Sequence, residues 1–373
     1  MPFAPARVTA RALVGVLAIA IAIAGCSGTS GTTTTPTAPG ASSGQNGSSG
    51  PPQGGSTGPT GTLRLGYFPN VTHAAALVGI ESGVFKDALG PGVTLEPSSF
   101  NAGGAASEAL LNGAIDATYI GPNPAINAFA QSQGAAIRII AGATSGGAFL
   151  VVEPGIAGAA DLRGKKLATP QLGNTQDVAL RTWLADNGLS TDTTGGGDVS
   201  ILPQENAQTL QTFTDGQIDG AWVPEPWATR LVQDGGGTVL VDEATLWPEG
   251  KYVTTHLIVR TDYLAAHADI IQALLAGHID ATDFVNGNPA EAQALVNHGI
   301  EKVTGSTIAD DVLSAAWENL EFTVDPIASS LTTSAQHAEQ VGLLEPLDLT
   351  GIYDLSALNQ LLTTAGKEPV ADE

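Results

Sequence analysis

The chain has 373 residues, with 14 Lys and Arg against 37 Asp and Glu, and a net charge of −23 at pH 7. That surplus of negative charge excludes nucleic acid and anionic membrane surfaces as partners. The one cysteine, Cys26, excludes an internal disulfide and a cysteine metal cluster.

At the N-terminus, Arg7 and Arg11 accompany an apolar run from Ala12 to Ala24. At about 13 residues the run suits the middle of a signal peptide and is too short to span a bilayer as a helix. Residues 1–25 are therefore expected to be a signal segment. It ends in Ile23-Ala24-Gly25-Cys26, which resembles the lipobox of bacterial lipoproteins. The resemblance implies lipidation of Cys26 and membrane attachment through the lipid only. Ser27 to Gly61 is almost all Gly, Ser, Thr and Pro, without a charge. Such a segment cannot offset its ordering entropy, so 26–62 is expected to be a disordered tether.

The remaining body, about 300 residues, exceeds what a single core usually supports and predicts two lobes. Its first part alternates strand and helix. Strands are expected at 63–68, 93–97, 116–121, 137–143 and 148–153, and helices at 73–82, 103–113 and 124–132. The next part repeats the alternation, with strands at 165–170, 198–203 and 219–223 and helices at 175–188, 206–216 and from 225. After a strand at 255–260 the chain is expected to be mostly helical. The alternation predicts an α/β fold with parallel sheets covered by helices.

Two stretches resemble each other: LLNGAIDATYIGPNPA (110–125) and FTDGQIDGAWVPEPWA (213–228). Gly113, Ile115 and Asp116 match Gly216, Ile218 and Asp219, and Tyr119 matches Trp222. With one residue of slip, Pro122-Asn123-Pro124 matches Pro224-Glu225-Pro226. Each copy reads helix, Gly turn, strand, Pro-x-Pro, helix. Ligands of open parallel sheets bind beyond the carboxyl ends of the strands. The repeat therefore predicts that Asn123 and Glu225 face each other across an interlobe cleft.

The body, about Leu63 to Ala365, resembles solute-binding lipoproteins of ATP-driven importers for nitrate, aliphatic sulfonates and taurine. The resemblance is carried by GYFPNVTHAAALVGIESGVFKD, FNAGGAASEALLNGAIDATYIGPNPAINA, DLRGKKLATPQLGNTQD and GQIDGAWVPEPWA. It implies a type II periplasmic-binding-protein fold, with lobe 1 at 63–154 and 254–373 and lobe 2 at 155–253. It also implies an extracytoplasmic, lipid-anchored monomer, at the cell surface or in the periplasm, that delivers its solute to an ABC permease and ATPase. The crossings near Glu153–Gly155 and Thr254–Thr255 would be its hinges.

Candidate ligand residues sit at the strand-to-helix junctions. Asn70 and His73 follow the first strand. Asn101, Ala102 and Gly103 follow the second, where missing side chains let a ligand approach the backbone. Asn123 follows the third, and Ser145, Gly146 and Gly147 lie between two strands. In lobe 2, Gln171, Gly173, Asn174 and Thr175 precede a helix whose free N–H groups suit an anion. Trp222 and Glu225 complete the set. Each glycine pair could serve only a turn, and Glu225 only a helix start. The six histidines show no metal-ligand spacing, so neither a metal nor another cofactor is expected.

A carboxylate at position 225 would repel a plain oxyanion and favour a ligand with a cationic or donor end. The expected solute is therefore a sulfonate, an amino-sulfonate of taurine type, or a related anionic or zwitterionic molecule. A nitrogenous heterocycle is the alternative, bound by a thiamin-pathway pyrimidine-precursor protein or a synthase-like enzyme of the same fold. The signal segment argues against the enzyme, which needs a cytoplasmic address. A sensory role beside a surface receptor is a third reading.

Overall fold

Residues 58–372 are described by the structure, a computed structural model; the signal segment, Cys26 and the tether up to residue 57 lie outside them. The first strand, β1 (Gly61–Tyr67), claims the last two residues of the expected tether, because Gly61 and Thr62 pair with Val93 and Thr94. Then come α1 (Ala74–Glu81), α2 (Val84–Leu89), β2 (Val93–Ser99), α3 (Gly103–Leu111), β3 (Ala117–Ile120), α4 (Pro122–Gln131), β4 (Ile137–Gly146) and β5 (Ala148–Val152). The middle of the chain forms β6 (Lys166–Thr169), α5 (Thr175–Asp186), β7 (Ser200–Pro203), α6 (Asn206–Thr214), β8 (Gly220–Pro224), α7 (Trp227–Gln233) and β9 (Thr238–Asp242). After β10 (Val253–Arg260) the chain is helical, in α8 (Thr261–Ala266), α9 (Ala268–Gly287), α10 (Pro289–Thr304), α11 (Asp310–Glu318), α12 (Ala328–Gln340) and α13 (Ser356–Thr364), interrupted by the short strand β11 (Leu320–Phe322).

The strands form two sheets, in the orders β11-β4-β10-β3-β1-β2 and β7-β6-β8-β5-β9. In the first, β1 runs parallel to β2 and β3, and β10 is antiparallel to β3 and β4. In the second, β6 runs parallel to β7 and β8, and β5 is antiparallel to β8 and β9. Both sheets thus share one plan, a parallel triplet followed by an antiparallel strand from elsewhere in the chain. Each sheet with its helices is a lobe. The inner strands of both sheets are buried on both faces by apolar clusters, whereas the edge strands β2, β7 and β9 are largely exposed. This is the cost of parallel strands, which need helices on either side.

The internal repeat has a structural cause. Asp116 N donates to Arg64 O and Asp116 Oδ2 accepts from Arg64 N; Asp219 does the same with Lys166 O and Lys166 N. Each Asp therefore pins the start of its strand to the middle strand of its parallel triplet. Gly113 and Gly216 end the preceding helices with φ of 71° and 66°, a left-handed conformation that a Cβ opposes. Gly and Asp recur because the same turn is built twice.

The crossing between lobes differs from the expected one. β5 pairs with β8 and β9, so Ala148–Val152 belongs to the second sheet. The chain leaves the first lobe at Gly146–Gly147, not at Glu153–Gly155. A Cβ on Gly147 would lie 2.2 Å from Leu320 Cδ2, so the crossing is packed tightly against β11. The return crossing lies between β9 and β10. Thr254 and Thr255 are already in β10, and Thr254 Oγ1 donates to Gly146 O, tying the two crossings together.

Candidate functional site

The carboxyl ends of the parallel strands of both sheets converge on a small cavity, about 40 Å³. From the first lobe it is lined by Phe68, Asn70, Thr72 and His73 after β1, by Asn101, Ala102 and Gly103 after β2, and by Gly121 and Pro124 after β3. Thr254 and Thr255 enter from β10. The second lobe adds Pro170, Asn174, Thr175 and Gln176 after β6, Asn206 after β7 and Pro224 at the end of β8. The starts of α3, α4, α5 and α6 all lie at this junction. Among the described residues no Asp, Glu, Lys, Arg or Cys lines it.

The polar groups here are neutral donors held by specific partners. Asn174 Oδ1 accepts from Asp177 N and caps α5. The first two N–H groups of that helix, of Thr175 and Gln176, are left without a partner among the described residues. Asn70 Oδ1 accepts from Trp227 Nε1 at 3.1 Å, which leaves its amide N–H₂ free to donate. His73 is buried and stacked on Phe68, with ring centroids 4.5 Å apart. Burial pushes its pKa down to about 3. The ring is neutral near pH 7, and its Nδ1 accepts from Phe68 N. The proton therefore sits on Nε2, and His73 offers a donor rather than a cation.

The loop before α5 is braced from below. Asp177 is fully buried; its Oδ1 accepts from Thr169 Oγ1, and its Oδ2 accepts from Gly173 N and from Arg181 Nε, each at 2.9 Å. Arg181 in turn donates to Asp192 O. Residues 170–176 are thus held in one shape by a carboxylate that points away from the cavity.

Asn70, His73, Asn101, Ala102, Gly103, Asn174 and Thr175 line this cavity together, and the other eight candidates do not reach it. Gly103 serves packing more than ligand approach, because a Cβ there would lie 2.2 Å from Pro124 Cγ. Gln171 and Gly173 line a separate interlobe groove of about 550 Å³. There Gln171 Oε1 accepts from Gly104 N, and Gly173 O accepts from Asn127 Nδ2. Ser145, Gly146 and Gly147 form the end of β4 and the crossing and do not line the cavity.

Asn123 and Glu225 do not face each other. Pro122 and Asn123 are inside the first turn of α4, whereas Pro224 still belongs to β8 and Glu225 precedes α7. The one-residue slip in the repeat therefore points the two side chains differently. Asn123 Nδ2 donates to Ser334 O. Glu225 accepts from Thr229 N, Thr229 Oγ1 and, across the lobes, Asn319 Nδ2 at 2.7 Å. Burial pushes its pKa up, and these hydrogen bonds oppose the rise. Glu225→Ala should cost about 1–3 kcal/mol of stability, because buried donors lose their acceptor. Ligand affinity should fall by about fivefold at most, the share of one interlobe bond. Loss of all binding with full stability would return Glu225 to the ligand site.

Trp222 is also outside the cavity. Fully buried in the second lobe, it donates from Nε1 to Glu243 Oε2 at 2.7 Å and tilts against Trp183. Burial pushes Glu243 from 4.5 up to about 7. A raised carboxyl pKa stabilises the fold below the ordinary glutamate value, and that stabilisation is lost as pH rises through about 7. Glu243→Gln has no such loss. It should gain about 3 kcal/mol on the wild type as pH rises from 4.5 to above 7. Denaturant titrations that run parallel across this range would contradict the assignment.

Sequence reasoning missed Thr72, Gln176, Asn206, Thr254 and Thr255. For Gln176 and Asn206 the signal was present, since both open a helix that follows a strand. Thr254 and Thr255 start an antiparallel strand, and nothing local marks such a start as cleft lining.

Two α/β lobes of common plan, joined by two crossings around a donor-lined cavity, define the periplasmic-binding-protein fold. The nitrate-binding protein NrtA from Synechocystis PCC 6803 superposes with a TM-score of 0.69 at 17% identity, over 85% of this chain and 93% of that one. The alkanesulfonate-binding protein SsuA from Xanthomonas axonopodis pv. citri, bound to MOPS, gives 0.64 at 21% identity, over 76% and 94%. The chain belongs to the NMT1-like family, which it matches over residues 56–298. It is 27% identical over 201 residues to the taurine-binding periplasmic protein of Escherichia coli (strain K12), covering 53% of this chain and 59% of that protein. It is 25% identical over 260 residues to the bicarbonate-binding protein CmpA of Synechococcus elongatus, covering 62% and 55%. The chain thus spans less than two thirds of either relative's length. Among the described residues no helix is long and apolar enough to cross a membrane.

Proposed function

We propose that the chain is the extracytoplasmic solute-binding component of an ABC importer. It captures the oxyanion head of a small sulfonate or amino-sulfonate between its lobes and hands it to a permease powered by an ATPase. Attachment to the membrane through lipidated Cys26 belongs to the same reading. The observation that carries it is the cavity's lining. Unpaired N–H groups at the start of α5, the Asn70 amide and neutral His73 all donate, and among the described residues no carboxylate lines the cavity. Relatives named for taurine, bicarbonate and nitrate support an oxyanion as the shared chemistry. Glu225 lies elsewhere, so a cationic group on the ligand is not required by that residue.

The lining also favours binding over catalysis, because among the described residues it holds no Lys, Cys, Asp or Glu to act as nucleophile or general base. Closure by rotation about the Gly146–Gly147 and β9–β10 crossings would trap the ion. Titration calorimetry of the full chain with alkanesulfonates, taurine, nitrate, bicarbonate and an aminopyrimidine tests the reading. Sulfonates are expected to bind at micromolar concentration or below. Binding of the aminopyrimidine with none of the oxyanions would overturn it.

A further inference from the structure

We propose that a chamber beside the cavity is a tail subsite, so that the preferred ligand is an organic sulfonate with an N–H or O–H donor next to an apolar ring or chain. This rests on the oxyanion reading above and narrows it. The cavity itself, about 40 Å³, has room for a head group and little more. A chamber of about 380 Å³ adjoins it and shares Phe68, Asn70, Asn101 and Asn206 with its lining.

The chamber differs in character from the cavity. Phe100, Trp227, Ile300 and Ile308 form much of its wall. The Trp227 ring is fixed by its bond to Asn70 and backed by the Arg230 guanidinium, 4.9 Å from the ring centroid. A flat, immobilised aromatic wall is suited to stacking against a ring or alkyl chain. Glu205 and Arg230 line the chamber too, but a small inorganic ion would leave its apolar wall uncovered.

Asn206 links the two spaces. It lines both, it is 9% exposed, and its Oδ1 is buried without a hydrogen-bond partner among the described residues. A sulfonate head carries acceptors only, so it cannot satisfy this oxygen. A donor on the part of the ligand that passes from cavity to chamber would satisfy it. An amine or hydroxyl close to the head meets that requirement, and the apolar body then follows into the chamber.

The test uses the full chain and three probes: ethanesulfonate, aminoethanesulfonate and cyclohexylaminoethanesulfonate. Ala207 is exposed on α6 and lines the chamber but not the cavity, so Ala207→Trp fills the chamber without removing a contact to the head. On the wild type the ring-bearing probe should bind at least about tenfold more tightly than ethanesulfonate, a difference of about 1.4 kcal/mol. The aminoethanesulfonate should fall between them. In Ala207→Trp the ring's advantage should vanish while ethanesulfonate stays within about twofold. Equal binding of all three probes, or a ring advantage that survives in Ala207→Trp, overturns the tail subsite and leaves the oxyanion reading standing. Failure of every probe to bind overturns both.

Discussion

Asp177→Ala is expected to cost about 3–5 kcal/mol of folding stability, the usual penalty for removing one partner of a buried ion pair. Asp177 and Arg181 are 0% and 1% exposed, so the guanidinium would be left in the core without its counter-charge. Thr169 Oγ1 and Gly173 N lose their acceptor at the same time. The effect should reach the ligand, because Gly173 N and Arg181 hold the loop that presents the Thr175 and Gln176 N–H groups. Chemical denaturation and titration calorimetry on the same preparation check both halves. Asp177→Asn, which keeps the shape and part of the hydrogen bonding, should lie between the wild type and the alanine variant. An unchanged denaturation midpoint for Asp177→Ala would show that the pair contributes nothing to folding.

The second large effect falls mainly on binding. Asn206→Asp replaces an amide at the cavity by a carboxylate of nearly the same shape. A like charge beside a bound oxyanion costs several kcal/mol, so ethanesulfonate affinity should drop by more than about a hundredfold. Stability should fall by about 1–3 kcal/mol, since the carboxylate is buried where Oδ1 has no hydrogen-bond partner among the described residues, and its favourable place at the start of α6 offsets only part of that. Calorimetry separates this from a folding defect. Undiminished ethanesulfonate binding by the variant would mean that the anion sits away from Asn206.

Much of the architecture was legible because local backbone chemistry is written in residue types. Gly113 and Gly216 occupy left-handed positions, and Asp116 and Asp219 each pair with the backbone of the middle strand of a parallel triplet. Those demands repeat in the sequence because the turn repeats in the fold. The cleft was legible for a related reason, since strand-to-helix junctions of parallel sheets share one edge. What failed depended on distant partners. Asn123 and Glu225 looked equivalent until the one-residue slip placed one inside a helix and the other before one. Trp222 and Trp227 stand five residues apart in one stretch. Glu243 holds the first in a core, and Asn70, 157 residues away, holds the second between the lobes. The sheet to which β5 belongs was hidden as well. Its run of buried apolar residues suits either sheet, and pairing with β8 decides it.

The central claim is that an oxyanion head sits between the lobes on neutral donors. A crystal structure of the full chain with ethanesulfonate tests it most directly. The sulfonate oxygens are expected within hydrogen-bond distance, about 3 Å, of the Thr175 or Gln176 N–H and of the Asn70 amide. A sulfonate seated instead in the groove beside Gln171 and Asn127, or against Glu225 and Asn319, would contradict the account.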